Sequence, residues 1–319
     1  MFLCSIRRQA VGLGQWQTTT VDDSYADLAH DYEWLFADEA IGAGGTVGAT
    51  SPGSKDLLEG ILETLPPDAR VLDSACGIGA DAMALARRGY NVTASDGSAG
   101  MVAEARRRSS RFGIEMEITQ SSWQALPKRV PGPFDLVLCL GNSIVHTETR
   151  SNMIASLEGI KKVLGPEGVL VVDSRNWEHL YESRPRIITG RRVIERHGIR
   201  SSSLYIWSIP DRFDSPCRAE IVLLFEDSSS AITHRRYVLD FTPFRRTDLA
   251  DAIHAAGLTV IGDSYQPGNP FYAVAAAGSG HRSRRSPGNR SPHTCSTRPR
   301  GDPTWDTFGS EGDSAGHSP

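Results

Sequence analysis

Residues 71–85 read VLDSACGIGADAMAL, and this stretch decides the fold. A short apolar run ends at Asp73, a turn of small residues passes through Ala75, Cys76, Gly77, Ile78 and Gly79, and an alanine-rich helical pattern begins. Glycines in such a turn let the backbone approach a ligand closely and set the first amides of the next helix beside it. A second strand pattern, NVTASD at 91–96, ends in Asp96, seventeen residues after Gly79. An acid there is placed to accept hydrogen bonds from a ribose diol. Loop and acid together predict an adenosine-type ligand.

Outward from this unit, strands and helices alternate. A helix is expected over 80–89, another over 99–112, then strands IEMEIT (114–119) and FDLVLCL (134–140), a helix over 150–164 and strand GVLVVDS (168–174). Such alternation requires a mostly parallel sheet covered on both faces, a doubly wound, Rossmann-like α/β fold. After Trp177 come four strand-like runs, RRVIERHG, SLYIWSI, AEIVLLFE and HRRYVLDFT, separated by Pro, Asp or Ser clusters. They predict an inserted antiparallel lid over about 178–245. A helix at 247–256 follows, and strands LTVIGDS and PFYAVAAA, joined by YQPGN, predict an antiparallel C-terminal hairpin at the sheet edge. Upstream, SYADLAHDYEWLF places Tyr25, Leu28, Ala29, Tyr32, Leu35 and Phe36 on one helical face. A glycine-rich connector leads to a helix with a Leu57, Leu58, Ile61, Leu62, Leu65 stripe, stopped by Pro66 and Pro67.

Composition narrows the function. The chain has 319 residues, 39% of them hydrophobic, and a net charge of -4, so no global basic field draws it to nucleic acid or an anionic membrane. No apolar run approaches the roughly 20 residues of a spanning helix. The five cysteines are scattered without CxxC spacing, which suggests neither a zinc site nor a disulfide framework, and no metal is expected. The opening MFLCSIRRQAVGLGQW makes a poor secretory signal, so a cytoplasmic location is expected. Residues 1–20 are expected to be flexible. Residues 278–319, dense in Gly, Ser, Pro and Arg, are expected to form a disordered tail, leaving a folded unit over 21–277.

Two cofactors compete for the loop. Gly77, Gly79 and Ala82 satisfy GxGxxA, which admits a nicotinamide dinucleotide. Asp73 at the loop mouth would repel a pyrophosphate but welcome the ammonium of S-adenosyl-L-methionine (SAM), and SAM is the preferred reading. The plain alternative is a tight strand–helix turn in which Asp73 merely caps.

Asp73, Ala75, Gly77 and Gly79, at alternate positions, resemble motif I of class I SAM-dependent methyltransferases, with Ala75 in the first glycine position. Together with LCLGNSIVH (138–146) and VVDSRNW (171–177), they make the chain similar to the glycine N-methyltransferase and glycine/sarcosine methyltransferase group over roughly 21–277. The resemblance implies a seven-stranded sheet with an inserted antiparallel lid and a final antiparallel hairpin. It implies that Asp73, Ala75, Gly77 and Gly79 line the methionine half of SAM, with Leu140 nearby, and that Asp96 binds the ribose. Met101 would pack on the adenine, and the Ser122–Trp123 turn would close over its edge, although Ser122 stands where Asp or Asn is common. Arg175 would hold an amino-acid carboxylate with help from Asn142. Tyr25 and Tyr32 would cap the site.

Each assignment has a plainer rival. Met101 and Trp123 also suit a core, the tyrosines also suit helix packing, and Arg175 could instead pair with Asp173 or a lid carboxylate. His146 could take a proton, or serve structurally as a lone histidine. Lid tyrosines Tyr205 and Tyr237 are available to substrate, while Phe241 and Thr242 occupy positions where another hydroxyl would be useful. The expected activity is methyl transfer to the amine of a small molecule, glycine or sarcosine first. A natural-product N- or O-methyltransferase and a non-catalytic SAM-binding protein are the alternatives. The expected partner is a small-molecule amine, not nucleic acid or membrane, and no pattern specifies an oligomeric state.

Overall fold

The computed structural model describes residues 23–36, 47–48, 54–190, 192–213 and 215–280. The expected flexible start (1–20), nearly all of the expected tail (278–319) and most of the glycine-rich connector lie outside the described residues. In chain order the elements are α1 (Ser24–Leu28), a 3-10 turn (Tyr32–Leu35), α2 (Lys55–Leu62), β1 (Arg70–Asp73), α3 (Ala80–Arg87), β2 (Asn91–Asp96), α4 (Ala99–Phe112), β3 (Glu117–Gln120), α5 (Leu126–Arg129), β4 (Phe134–Cys139) and α6 (Arg150–Lys161). There follow β5 (Leu164–Arg175), α7 (Trp177–Ser183), β6 (Ile187–Thr189), β7 (Ile194–Arg196), β8 (Ile199–Ser208), β9 (Cys217–Glu226), β10 (Ile232–Phe241), α8 (Arg246–Ala255), β11 (Thr259–Asp263) and β12 (Phe271–Ala277).

Seven strands form one sheet in the order β11-β12-β5-β4-β1-β2-β3. β1 pairs parallel with β2 and β4, β2 with β3, and β4 with β5, while β12 runs antiparallel to both β5 and β11. The strands are apolar on both sides because both faces are covered. Val71, Leu136, Leu138, Val169 and Val171 pack in a cluster with Leu58, Ala82, Leu85 and Val102 from α2, α3 and α4. Leu72, Val137, Cys139, Leu170 and Val172 pack in another with Met153, Leu157, Leu249 and Ile253 from α6 and α8. Side-chain caps start the helices locally: Ser98 accepts from Met101 N at α4, and Thr149 from Asn152 N at α6. Each such cap is worth about 1 kcal/mol.

The second sheet is antiparallel, in the order β10-β9-β8-β6, with β7 also on β8. Its strands alternate, so Cys217, Ala219, Ile221, Leu239 and Phe241 turn inward and join the core cluster of the first sheet. The expected four runs become five strands. The three-residue β6 and helix α7 are additions to the sequence reading.

The expected single helix over 24–36 is also revised. It breaks after Leu28 and resumes as the 3-10 turn, because tertiary partners capture its polar groups. Arg196 donates to the carbonyls of Glu33 and Phe36, both at 2.8 Å. Buried Asp31 accepts from Arg235 and from the Tyr237 hydroxyl. On the other side, Arg108 reaches Glu33 at 2.8 Å, and Asp23 accepts from Ser98 Oγ and Ala99 N. A Cβ on Gly100 would lie 2.7 Å from Ala26 Cα, so α1 rests directly on the backbone of α4. The N-terminal segment is thus a strap bonded to helix α4 on one side and to the second sheet on the other.

Candidate active site

Strand order reverses between β1 and β4, where ligands bind at the carboxyl ends of open α/β sheets. Asp73 ends β1, Asp96 ends β2, Leu140–Asn142 follow β4, and Arg175 ends β5. The turn after β1 places Gly77 and Gly79 at φ +51° and +81°, a left-handed backbone that favours glycine. A Cβ on Gly77 would meet no atom within 4 Å, so the loop presents an open cradle. Asp96 shapes that cradle: Oδ2 accepts from Gly77 N at 2.8 Å and Oδ1 from Ser98 N at 2.9 Å. The Trp123 indole N–H donates to the Ser74 carbonyl at 2.9 Å, stitching the turn after β3 to the loop. Ser122 beside it is exposed, and Met101 is buried with Ala29, Ile78 and Ala80 against Tyr25 and Tyr32.

The cradle is acidic. Burial, and then the neighbouring Asp81, push the Asp73 carboxyl well above its ordinary range. Burial also raises Asp96, opposed by the amides of Ser98 and Gly77. Like charges withdrawn from water favour a cationic ligand beside them.

The strap supplies the tyrosines. Tyr25 Oη lies 2.9 Å from His146 Nε2, and the two rings meet edge to face. The Tyr25 hydroxyl and the ring share one proton along this bond, with the imidazole tautomer setting which of them donates. The main chain of Asp240 opposes the effect of burial on the imidazole. Burial brings His146 down to about 4. Between that value and the ordinary value of about 6.5, the unfolded chain binds a proton that the folded chain refuses, so this contribution to stability falls as pH drops through the interval, by about 3 kcal/mol in all. Comparing His146→Phe with wild type by urea unfolding, the wild-type advantage should shrink by about 3 kcal/mol between pH 7 and pH 4. Identical pH dependence in the two proteins would remove this role. Tyr32 is raised chiefly by burial, with Tyr205, Asp96, Asp173 and Asp81 adding, and its ring meets those of Tyr25 and Phe36.

At that end Asn142, at φ +60°, accepts the Arg175 N–H through Oδ1 at 2.8 Å, and its own N–H donates to Asp173 Oδ1 at 2.7 Å. Asn142 is thus a strut between β4 and β5. The pairing of Arg175 with Asp173 or a lid carboxylate is not found among the described residues. The guanidinium instead lies 5.0 Å from the Trp207 ring centroid and 4.6 Å from that of Phe271. Burial lowers its pKa to about 10, offset by Tyr205 and Cys217, and it remains a cation at neutral pH. Of the two lid tyrosines, Tyr205 is close enough for the Arg175 charge to oppose the effect of burial on its hydroxyl, whereas Tyr237 is bonded to Asp31 of the strap. Phe241, without a hydroxyl, stacks among His146, Trp177 and Trp207. Sequence reasoning missed Trp207 and Phe271. The register Phe271↔Arg175 across an antiparallel pair was a usable signal for the second of these, and Trp207 had none.

Residues 71–168 match a family described as a methyltransferase domain. A glycine/sarcosine N-methyltransferase of Aphanothece halophytica is 32% identical over 220 residues, spanning 65% of this chain and 75% of the relative. The chain belongs to the class I SAM-dependent methyltransferases, in the glycine/sarcosine N-methyltransferase-like group. A glycine/sarcosine N-methyltransferase of Halorhodospira halochloris is 28% identical over 220 residues, covering 65% of this chain and 74% of the relative. The crystal structure of Streptomyces venezuelae DesVI shares the fold, with a TM-score of 0.62 at 21% identity over 82% of this chain and 100% of that one. SAM is the cofactor of this methyltransferase, and the open Gly77 cradle, the acidic pair Asp73 and Asp81, and Asp96 at the β2 end are residues that could hold it. Among the described residues no helix is long and apolar enough to cross a membrane.

Proposed function

We propose that this methyltransferase methylates the amino nitrogen of a small carboxylate-bearing amine, glycine or sarcosine first. The observation that carries the reading is Arg175: a desolvated cation at the β5 end that no carboxylate of the described chain neutralises. A guanidinium in that state grips a carboxylate through two parallel N–H bonds. Asn142 fixes its backbone, and the Arg175 charge is felt by the buried Tyr205 hydroxyl.

Bound SAM supplies an electrophilic methyl group on a sulfonium. Asp73, Ala75, Gly77, Gly79, Met101, Ser122, Trp123 and Leu140 line its place in this reading, Asp96 takes the ribose, and Tyr25 and Tyr32 close over it. What remains for the protein is to orient the amine and exclude water. Arg175 sets one end of the acceptor, so the amine end is directed at the cradle. The amine must shed its ammonium proton before it can attack, and the positive sulfonium of bound SAM beside it would favour that loss. His146 has too little basicity at about 4 to draw that proton away, and acts by holding the Tyr25 hydroxyl.

The test is a mass-spectrometric turnover assay with SAM and a panel of glycine, sarcosine, dimethylglycine and amines lacking a carboxylate. Methylated glycine or sarcosine is expected. Turnover confined to carboxylate-free amines would sink the amino-acid reading. It would favour tailoring of a larger natural-product amine on the same scaffold.

A further inference from the structure

Arg175 is held unusually. Its strand partner across the β5–β12 ladder is Phe271, and the ring of that residue lies 4.6 Å from Arg175 Cζ. The second ring, Trp207 at 5.0 Å, comes from the other sheet, near the end of β8. Trp207 is itself fixed: its main-chain N–H donates to the Arg186 carbonyl at 2.9 Å, and its ring meets Trp177 and Phe241. A guanidinium binds aromatic rings through its face and hydrogen-bond acceptors through its edge. A carboxylate of the chain would orient the arginine by occupying the edge donors. The two rings orient it and leave those donors open to a planar anion.

We infer that Trp207 and Phe271 are positioning residues that set selectivity for a carboxylate-bearing acceptor, by clamping the Arg175 guanidinium through its face without neutralising it. The inference rests on the acceptor class proposed above. It also makes the anion site a product of both sheets: Arg175 and Phe271 come from the first, Trp207 and Tyr205 from the second. The buried Trp207 indole N–H has no acceptor among the described residues, so ring face and N–H must be separated experimentally.

The experiment compares Trp207→Phe, Trp207→Leu, Phe271→Leu and Arg175→Ala in the full chain. It reads KM and kcat for glycine, the inhibition constant of acetate as a bare carboxylate, and SAM affinity. Trp207→Leu and Phe271→Leu should raise the glycine KM and the acetate inhibition constant together by about tenfold or more, as loss of a desolvated cation–π contact predicts, with kcat within about threefold. SAM affinity should not move. Trp207→Phe keeps a ring and should stay within about threefold of wild type. A variant that damages kcat and SAM affinity along with KM would show plain packing and overturn the clamp. Equal harm from Trp207→Phe and Trp207→Leu would assign the role to the N–H and overturn it too. Should Trp207→Leu fail to fold, the half-buried Phe271 decides by the same readings. If Arg175→Ala abolishes glycine turnover while the clamp variants are silent, the clamp alone falls. If Arg175→Ala spares glycine turnover, the acceptor reading falls and takes the clamp with it.

Discussion

Replacing Arg175 with alanine should lower kcat/KM for glycine or sarcosine by about 10²- to 10³-fold, with SAM affinity within about twofold of wild type. Truncating one partner of a desolvated, hydrogen-bonded charge pair costs about 2–5 kcal/mol, and each 1.36 kcal/mol is a factor of ten in rate. The loss should concentrate in KM where the arginine binds ground and transition states alike, and enter kcat to the extent that it aims the amine. Arg175→Lys keeps the charge but not the planar fork, and should recover only part of the activity. The side chain has no carboxylate partner among the described residues and lies between two rings, so its removal strands no buried anion. Thermal stability should therefore change little. Activity and melting temperature collapsing together would show that the arginine is structural and sink the substrate role.

Replacing Asp96 with alanine should weaken SAM binding by about 100-fold or more and lower the melting temperature as well. One carboxylate holds two main-chain amides, Gly77 N through Oδ2 and Ser98 N through Oδ1. Hydrogen bonds to a charged group contribute about 1.5–3 kcal/mol each, so both the turn and the start of α4 lose support. The ribose acceptor disappears in the same substitution. Asp96→Asn retains one oxygen acceptor and should fall between wild type and alanine. Calorimetric titration with SAM checks the first effect and a thermal melt the second. Undiminished SAM affinity in Asp96→Ala would remove Asp96 from the cofactor site.

The carboxyl-edge residues are legible in the sequence because each is attached to a strand end whose position the α/β alternation dictates. Asp73, Asp96, Asn142 and Arg175 fall at one edge as soon as the strands are placed in order. What surrounds them is not. Arg175 and Trp207 meet only because a strand of the second sheet docks beside the first, and no local period encodes that approach. Asn142 reads as a substrate ligand in one dimension, yet its carbonyl oxygen is bonded to the Arg175 main chain. The helical period of 24–36 is genuine, but it loses to Arg196, Arg235 and Tyr237, which bond its carbonyls and Asp31. Helix α7 opens with an Asn176 cap on His179 N, a signal present in RNWEH but hidden by the abrupt change of character after Trp177.

The strap has a consequence for how the chain is made. Chains emerge from the ribosome N-terminus first, at about 5–20 residues per second, and begin to organise as they appear. Asp31 must wait for Arg235 and Tyr237, more than two hundred positions downstream, and Tyr25 must wait for His146. Residues 23–36 can thus meet α4 early, through Asp23, Ala26 and Glu33, yet their docking is completed only when the second sheet has emerged. A fusion partner placed ahead of residue 23 would therefore burden a segment whose last contacts wait for β10.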